Sequence, residues 1–236
     1  SLSTLIESSD LKSDLAETIK FHDNRLGKFF TEKTLPQVKI GRISKGQEKR
    51  LNKLLIDKNK AFSHDKLDLG CISGFRFAIN PIDKSVVSYV PPRAIPPGIK
   101  PEAEIEFKRW VDQGLVEEST SDHNSPVLII RKGAKKEARI VVDLRKVNAN
   151  TAKERTPIPN MHFIFYEIGV KIRSSDEYFI SICDFSKAYN QMQIDENSKK
   201  FSSFSFGGKS YQSNRLLYGF FNAPSTWTKM MSRILH

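Results

Sequence analysis

The segment FISICDFSKAY brings an apolar run to a single carboxylate, Asp184, and then turns at once. A carboxylate at the end of a rigid strand can hold a divalent metal at a fixed point for phosphoryl or nucleotidyl transfer. The same residue could instead cap the helical turn that follows, and the segment alone does not choose between the two. A second cluster is cationic. Arg131, Lys132, Lys135, Lys136 and Arg139 surround Gly133 between two β-branched runs, gathering positive charge where phosphates can be gripped. Charged hairpin tips are also ordinary solvated surface.

Other chemistries find no support in the residues. GGKS at 207–210 is no phosphate loop, because the first glycine of that pattern falls on Ser203, and a hairpin turn explains it better. LDLG at 67–70 lacks the Thr or Ser that an aspartic-protease loop requires after Asp68. His22, His64, His123, His162 and His236 with Cys71 and Cys183 never approach a zinc spacing, so no structural zinc is expected. No GxSxG elbow is present.

The elements that must position these residues read as α+β. Leu51, Leu54, Leu55 and Phe62 fall on one face of a helix over 47–62, with basic residues opposite. Pro91, Pro92, Pro96, Pro97 and Pro101 predict an extended linker. A helix over 102–113 ends at Gly114, and Val127–Ile130 with Ile140–Val142 form a β-hairpin. Residues 178–182 read as a third, buried strand, with a helical turn over 186–191. A second hairpin turns at Gly207 and Gly208, and a closing helix over 222–235 presents Trp227, Met230, Met231 and Ile234 on one face. The opening residues have a ragged helical spacing and no initial methionine, which reads as a piece of something longer.

Composition narrows the partners. Across 236 residues, 38 Lys and Arg oppose 27 Asp and Glu, a net charge of +11, which favours a polyanion, nucleic acid before an anionic membrane. Mean hydropathy is -0.43, and no apolar run approaches a membrane span, so no membrane partner is expected. Two widely separated cysteines predict no disulfide and a reducing compartment.

Taken in order, the motifs resemble the reverse transcriptases of gypsy-type LTR retrotransposons and their retroviral relatives. The resemblance runs from Ile43 to Leu235. It begins with KGQEKRLNKLLIDKNKAFS and the proline-rich lead-in up to the "SPV" of SPVLIIRK, continues through ARIVVDLRKVNANT and RTPIPN, and then through ICDFSKAYNQMQIDENSKKFSSFSF. RLLYGFFNAPSTWTKMMSRIL is similar to the family's "P-F-G-L-x-N-A-P-x-x-F-Q" motif. It implies a right-hand polymerase fold, fingers plus the first part of the palm. The implied division is a connector over 1–42, an amphipathic helix and lead-in over 43–100, fingers over 101–160, and partial palm and fingers over 161–236.

By the resemblance, Asp184 is the first catalytic, metal-binding aspartate of the palm, with the Phe185 carbonyl as auxiliary ligand to Mg2+ or Mn2+. Arg139 pairs with the incoming dNTP, and Lys132 falls near the lysine that touches the γ-phosphate. Tyr189 is the gate beneath the sugar, and Tyr218 with Gly219 floors the nucleotide pocket. Asn222, Ala223 and Pro224 start the helix that supports the template base. The family's adjacent Asp-Asp pair is missing, because no Asp or Glu follows Glu196. The chain thus reads as truncated before the catalytic hairpin: an RNA-directed DNA polymerase segment, inactive alone, or a degenerate, non-catalytic module binding nucleic acid or protein. Implied partners are an RNA or DNA template-primer, dNTP, and the remainder of a Pol polyprotein or another chain covering the truncated palm. The implied location is the cytoplasm, in virus-like particles, with access to the nucleus left open.

Overall fold

The structure, a computed structural model, describes residues 38–63, 68–132, 137–158 and 160–235. The ragged opening segment and the hairpin-tip residues Gly133, Lys135 and Lys136 lie outside these. Ser44 starts the first helix, α1 (Lys45–Asp57), through a capping box: the Gln47 N–H donates to Ser44 Oγ, and the Ser44 N–H donates to Gln47 Oε1 at 2.8 Å. Strand β1 (Ile72–Phe77) follows.

The proline-rich stretch is less extended than the sequence suggests. A 3-10 turn forms at Pro97–Ile99, and α2 (Lys100–Asp112) begins directly after it. Pro101 lies in the first helical turn, where a missing N–H loses no intrahelical bond. The preceding residues are fastened down: the Val90 N–H donates to Asn124 O, and Asn124 donates from its backbone to Ser88 O and from Nδ2 to Val90 O. Gly114, at φ 63, ends α2 as expected, its N–H donating to Val111 O while the Leu115 N–H reaches Trp110 O.

Next come β2 (Val116–Glu118), the hairpin β3 (Val127–Lys132) and β4 (Glu137–Val142), and a short helix α3 (Arg145–Ala149). Residues 161–173 form a helix, α4 (Met161–Arg173), where the sequence reads as irregular beside the family's pattern. Its apolar residues fall on two opposite faces, with Glu167 and Lys171 on one strip between them and His162 and Arg173 on the other, so no single apolar stripe stands out. None of its residues is buried, and Phe163 and Phe165 are 62% exposed.

The expected buried strand over 178–182 is not formed. These residues have no regular structure, and Ile182 is 92% exposed. A strand exists only through a ladder partner, and among the described residues none pairs with this segment.

A 3-10 turn over Ala188–Gln191 leads into β5 (Met192–Ile194), which pairs in parallel with β1 through Phe77 and Ile194. Helix α5 (Glu196–Lys199) precedes β6 (Phe204–Phe206) and β7 (Lys209–Ser213). Gly207 and Gly208 both take positive φ, 60° and 82°, as a two-residue hairpin requires. The three-stranded sheet has the order β2-β7-β6, and α6 (Ala223–Leu235) closes the fold.

One apolar core joins these pieces. Phe107 of α2 stacks on Phe206 at 4.1 Å and meets Tyr211 at 4.7 Å, while Phe77 meets Phe220 at 5.3 Å. No helix among the described residues is long and apolar enough to cross a membrane.

Phe107→Ala leaves a void among rings that cannot close it, so a loss of about 3–5 kcal/mol is expected in denaturant unfolding. A second expectation concerns pH. His123 accepts the Ser88 N–H on Nδ1 at 3.0 Å, which its neutral form alone can do. Burial and then the Lys200 ammonium push its pKa below the ordinary 6.5, against the Asp122 carboxylate. The unfolded chain therefore binds the proton more readily, so this contribution is full above pH 6.5 and is lost as pH falls through the lowered folded value. Thermal melts from pH 8 to pH 5 should show that decline, and His123→Asn should flatten it.

Candidate active site

Two distant segments are brought together by backbone pairing. The Leu216 N–H donates to Met192 O at 2.9 Å, and the Ile194 N–H donates to Asn214 O at 3.0 Å. Asn190 adds a side-chain bond from Nδ2 to Leu216 O at 3.0 Å. Leu216 and Leu217 go into the core, and the chain then surfaces at Tyr218, which is exposed.

Gly219 turns the chain at φ 109, a conformation that side-chain-bearing residues rarely take. An added Cβ there would meet Leu144 and the Val142 carbonyl at only 3.7 Å, so backbone angle and not space is the constraint. Asn148 clamps this turn from α3: its Nδ2 donates to Gly219 O at 2.8 Å, and its Oδ1 accepts the Phe221 N–H at 2.9 Å. Asn148 is a positioning residue that the sequence does not single out. Its signal was an Asn inside RKVNANT, where a helix former would otherwise serve better.

The result is an aromatic and cationic cluster. The Tyr189 and Tyr218 rings are 5.2 Å apart, and the Arg139 guanidinium carbon lies 5.6 Å from the Tyr218 ring centre. That places Arg139 within cation–π range. Trp227 of α6 meets Tyr189 at 6.0 Å and Phe185 at 5.4 Å. Burial and the neighbouring Tyr218 raise the Tyr189 pKa, so its phenol keeps its proton at neutral pH. Lys187, in the left-handed region at φ 47, donates to Gln113 Oε1 at 3.1 Å and ties this turn to the end of α2.

Asn222 is 1% exposed and holds residues 152–154, accepting the Glu154 N–H on Oδ1 and donating from Nδ2 to Ala152 O. Ala223 is also buried, while Pro224 is exposed. Asp143 of the VVDLR motif grips Arg145 through both carboxylate oxygens and lies 3.6 Å from Arg93. The hydrogen bonds from Arg145 hold its carboxyl below the usual range. Lys132 pairs with Glu137 in the hairpin ladder, and its side chain lies outside the described residues.

Asp184 is exposed and carries no hydrogen bond or ion pair among the described residues. It sits at no strand end, contrary to expectation, and it caps no helix. Through Phe185 it is one residue from the aromatic cluster. No group of three metal-ligating side chains forms among the described residues. One carboxylate and a neighbouring carbonyl do not make the oxygen shell of a divalent ion, so these residues alone do not fit it.

Residues 130–236 match the family model "Reverse transcriptase (RNA-dependent DNA polymerase)". The chain is 37% identical over 139 residues to the retrovirus-related Pol polyprotein from transposon 297 of Drosophila melanogaster, covering 57% of this chain and 12% of that protein. It is 27% identical over 195 residues to the corresponding polyprotein from transposon gypsy of the same organism, covering 80% of this chain and 18% of that protein. The chain thus spans a small part of the length of these relatives. In fold it is similar to the foamy viral protease-reverse transcriptase solved in complex with an RNA/DNA hybrid, with TM-score 0.64, 19% identity, and coverage of 96% of this chain and 26% of that one. Right-hand polymerase architecture, gypsy-type relatives and the matching segment agree: residues 130–236 are similar to the reverse transcriptase segment of retrotransposon Pol polyproteins.

Proposed function

We propose that this chain supplies the fingers and the first part of the palm of a polymerase that binds template-primer and an incoming dNTP in retrotransposon replication. The observation that carries this reading is the Arg139–Tyr218–Tyr189 cluster on the family-matching segment. A guanidinium offers a planar fork to phosphate oxygens, and aromatic faces take sugars and bases by contact. In this reading Arg139 pairs with the triphosphate and Lys132 reaches its γ-phosphate. Tyr189 stands beneath the sugar and rejects a 2′-hydroxyl, and Tyr218 with Gly219 floors the pocket. Asn222, Ala223 and Pro224 begin the helix under the template base. The burial of Asn222 and Ala223 supports a positioning part for those two.

The net charge of +11 supports a polyanionic partner, and the RNA/DNA hybrid held by the foamy viral neighbour supports a template-primer. Asp184 and the Phe185 carbonyl would contribute to a site for Mg2+ or Mn2+ whose other carboxylates this chain does not supply. The chain alone is therefore proposed to bind and not to extend. Exposed apolar residues on α4 and at 178–182 support a covering partner, the remainder of a Pol polyprotein or another chain. The division at residues 42, 100 and 160 and a place in cytoplasmic virus-like particles belong to the same proposal. A second reading, a degenerate module without catalysis, is favoured by one observation: Asp184 lies exposed, with no partner among the described residues.

Calorimetric titration tests the pocket. Arg139→Ala should weaken dNTP binding by roughly tenfold to a hundredfold, the loss of charge-assisted hydrogen bonds. Template-primer binding should weaken steeply as salt rises. In primer extension with Mg2+ the wild-type chain should add no nucleotide, and incorporation abolished by Asp184→Asn would contradict the claim of inactivity. Template binding without dNTP binding would favour the module reading.

A further inference from the structure

Away from the aromatic cluster, a cavity of 210 Å³ is lined by Arg76, Gln193, Glu196, Lys199, Asn214 and Arg215, among others. Arg215 is 8% exposed, yet among the described residues its guanidinium makes one hydrogen bond, from Nη1 to Gln191 O at 3.3 Å, and no ion pair. A buried charge without a counter-charge is costly, and a guanidinium presents five donors. The neighbouring cations do not relieve it. Lys199 is already held by Glu117 at 3.2 Å and by Glu196 at 2.9 Å, and Arg76 shares Glu196 at 3.5 Å.

The arginine is also fixed in place. Its backbone is bridged to Gln193, and its N–H donates to Ser213 Oγ at 3.3 Å. Extended backbone sends alternate side chains to opposite sides, so Leu216 enters the core while Arg215 turns to the cavity. Beside it, Asn214 Oδ1 is buried and accepts no hydrogen bond among the described residues. Excess positive charge, unused donors and an unused acceptor around one small cavity describe an incomplete polar site.

We propose that this cavity binds a phosphate group, with Arg215 as its main ligand and Lys199 and Arg76 at its rim. A tetrahedral oxyanion fits within a cavity of this size with room for water, takes the guanidinium fork through two oxygens, and in its monoprotonated form can also donate to Asn214. The phosphate can come from a free phosphate or from a nucleic-acid backbone. The site shares no lining residue with the Arg139–Tyr189–Tyr218 cluster and does not rest on the function proposed for it.

The test uses the whole 236-residue protein and two probes, sodium orthophosphate at constant ionic strength and a labelled RNA/DNA duplex. Two variants are compared with wild type. Arg215→Gln removes the charge. Gln193→Glu keeps the arginine and puts a carboxylate on the residue bridged to it, filling the site internally. Saturable orthophosphate binding that both variants weaken by roughly tenfold or more supports a free-phosphate site. A loss confined to the duplex supports the same site with a backbone phosphate as its source. Equal affinity of wild type and both variants for both probes overturns the proposal. If Arg215→Gln fails to fold, Gln193→Glu decides alone.

Discussion

The short pairing between residues 190–194 and 214–216 is the constraint on which the rest of the structure depends. A few backbone hydrogen bonds there, with Asn190 as a side-chain brace, join a parallel pair anchored at β1 to the strand that leaves β7. Everything functional hangs from this join. Tyr189 precedes it on one segment and Tyr218 follows it on the other, so the pairing register sets the two rings 5.2 Å apart. The same register sends Arg215 to the opposite side of the chain from the core.

Around that join, polar side chains hold loops that would otherwise have no reason to stay. Asn148, Asn190 and Asn222 each bond backbone groups far away in sequence. An amide side chain offers both a donor and an acceptor, so one residue can satisfy two backbone groups at once. These three asparagines, with the core ring of Phe107, make a frame in which the exposed rings and Arg139 have fixed places. The frame does not extend to α4 or to residues 178–182, whose apolar side chains are largely exposed.

Much of this was legible in the sequence because it is local. The β3–β4 hairpin announced itself through β-branched runs, the β6–β7 turn through two glycines, and α2 and α6 through their spacing and ends. Motif order carried Arg139, Tyr189, Tyr218 and Gly219 to one place, and three of those side chains do meet around Gly219. What escaped was non-local or unpatterned. Strand β1 finds its partner more than a hundred residues away, which no window of sequence contains. Helix α4 carries apolar residues on two opposite faces, so its sequence does not show the single apolar stripe that marks a helix packed on one side. Residues 178–182 have strand-like composition, but composition supplies no ladder partner. Asp184 was placed at a strand end on that composition, and the structure leaves it in an open segment.

The central claim is that the Tyr189 and Tyr218 rings with Arg139 form a nucleotide pocket, beside which Trp227 can report. Its ring lies 6.0 Å from Tyr189 and 5.4 Å from Phe185, while the other tryptophan, Trp110, packs from α2 against the core. In a Trp110→Phe background, titration with a dNTP should change Trp227 fluorescence saturably, and a ribonucleotide should do so only at higher concentration. Fluorescence that stays constant across the dNTP titration, while the same protein still binds template-primer, would contradict the account.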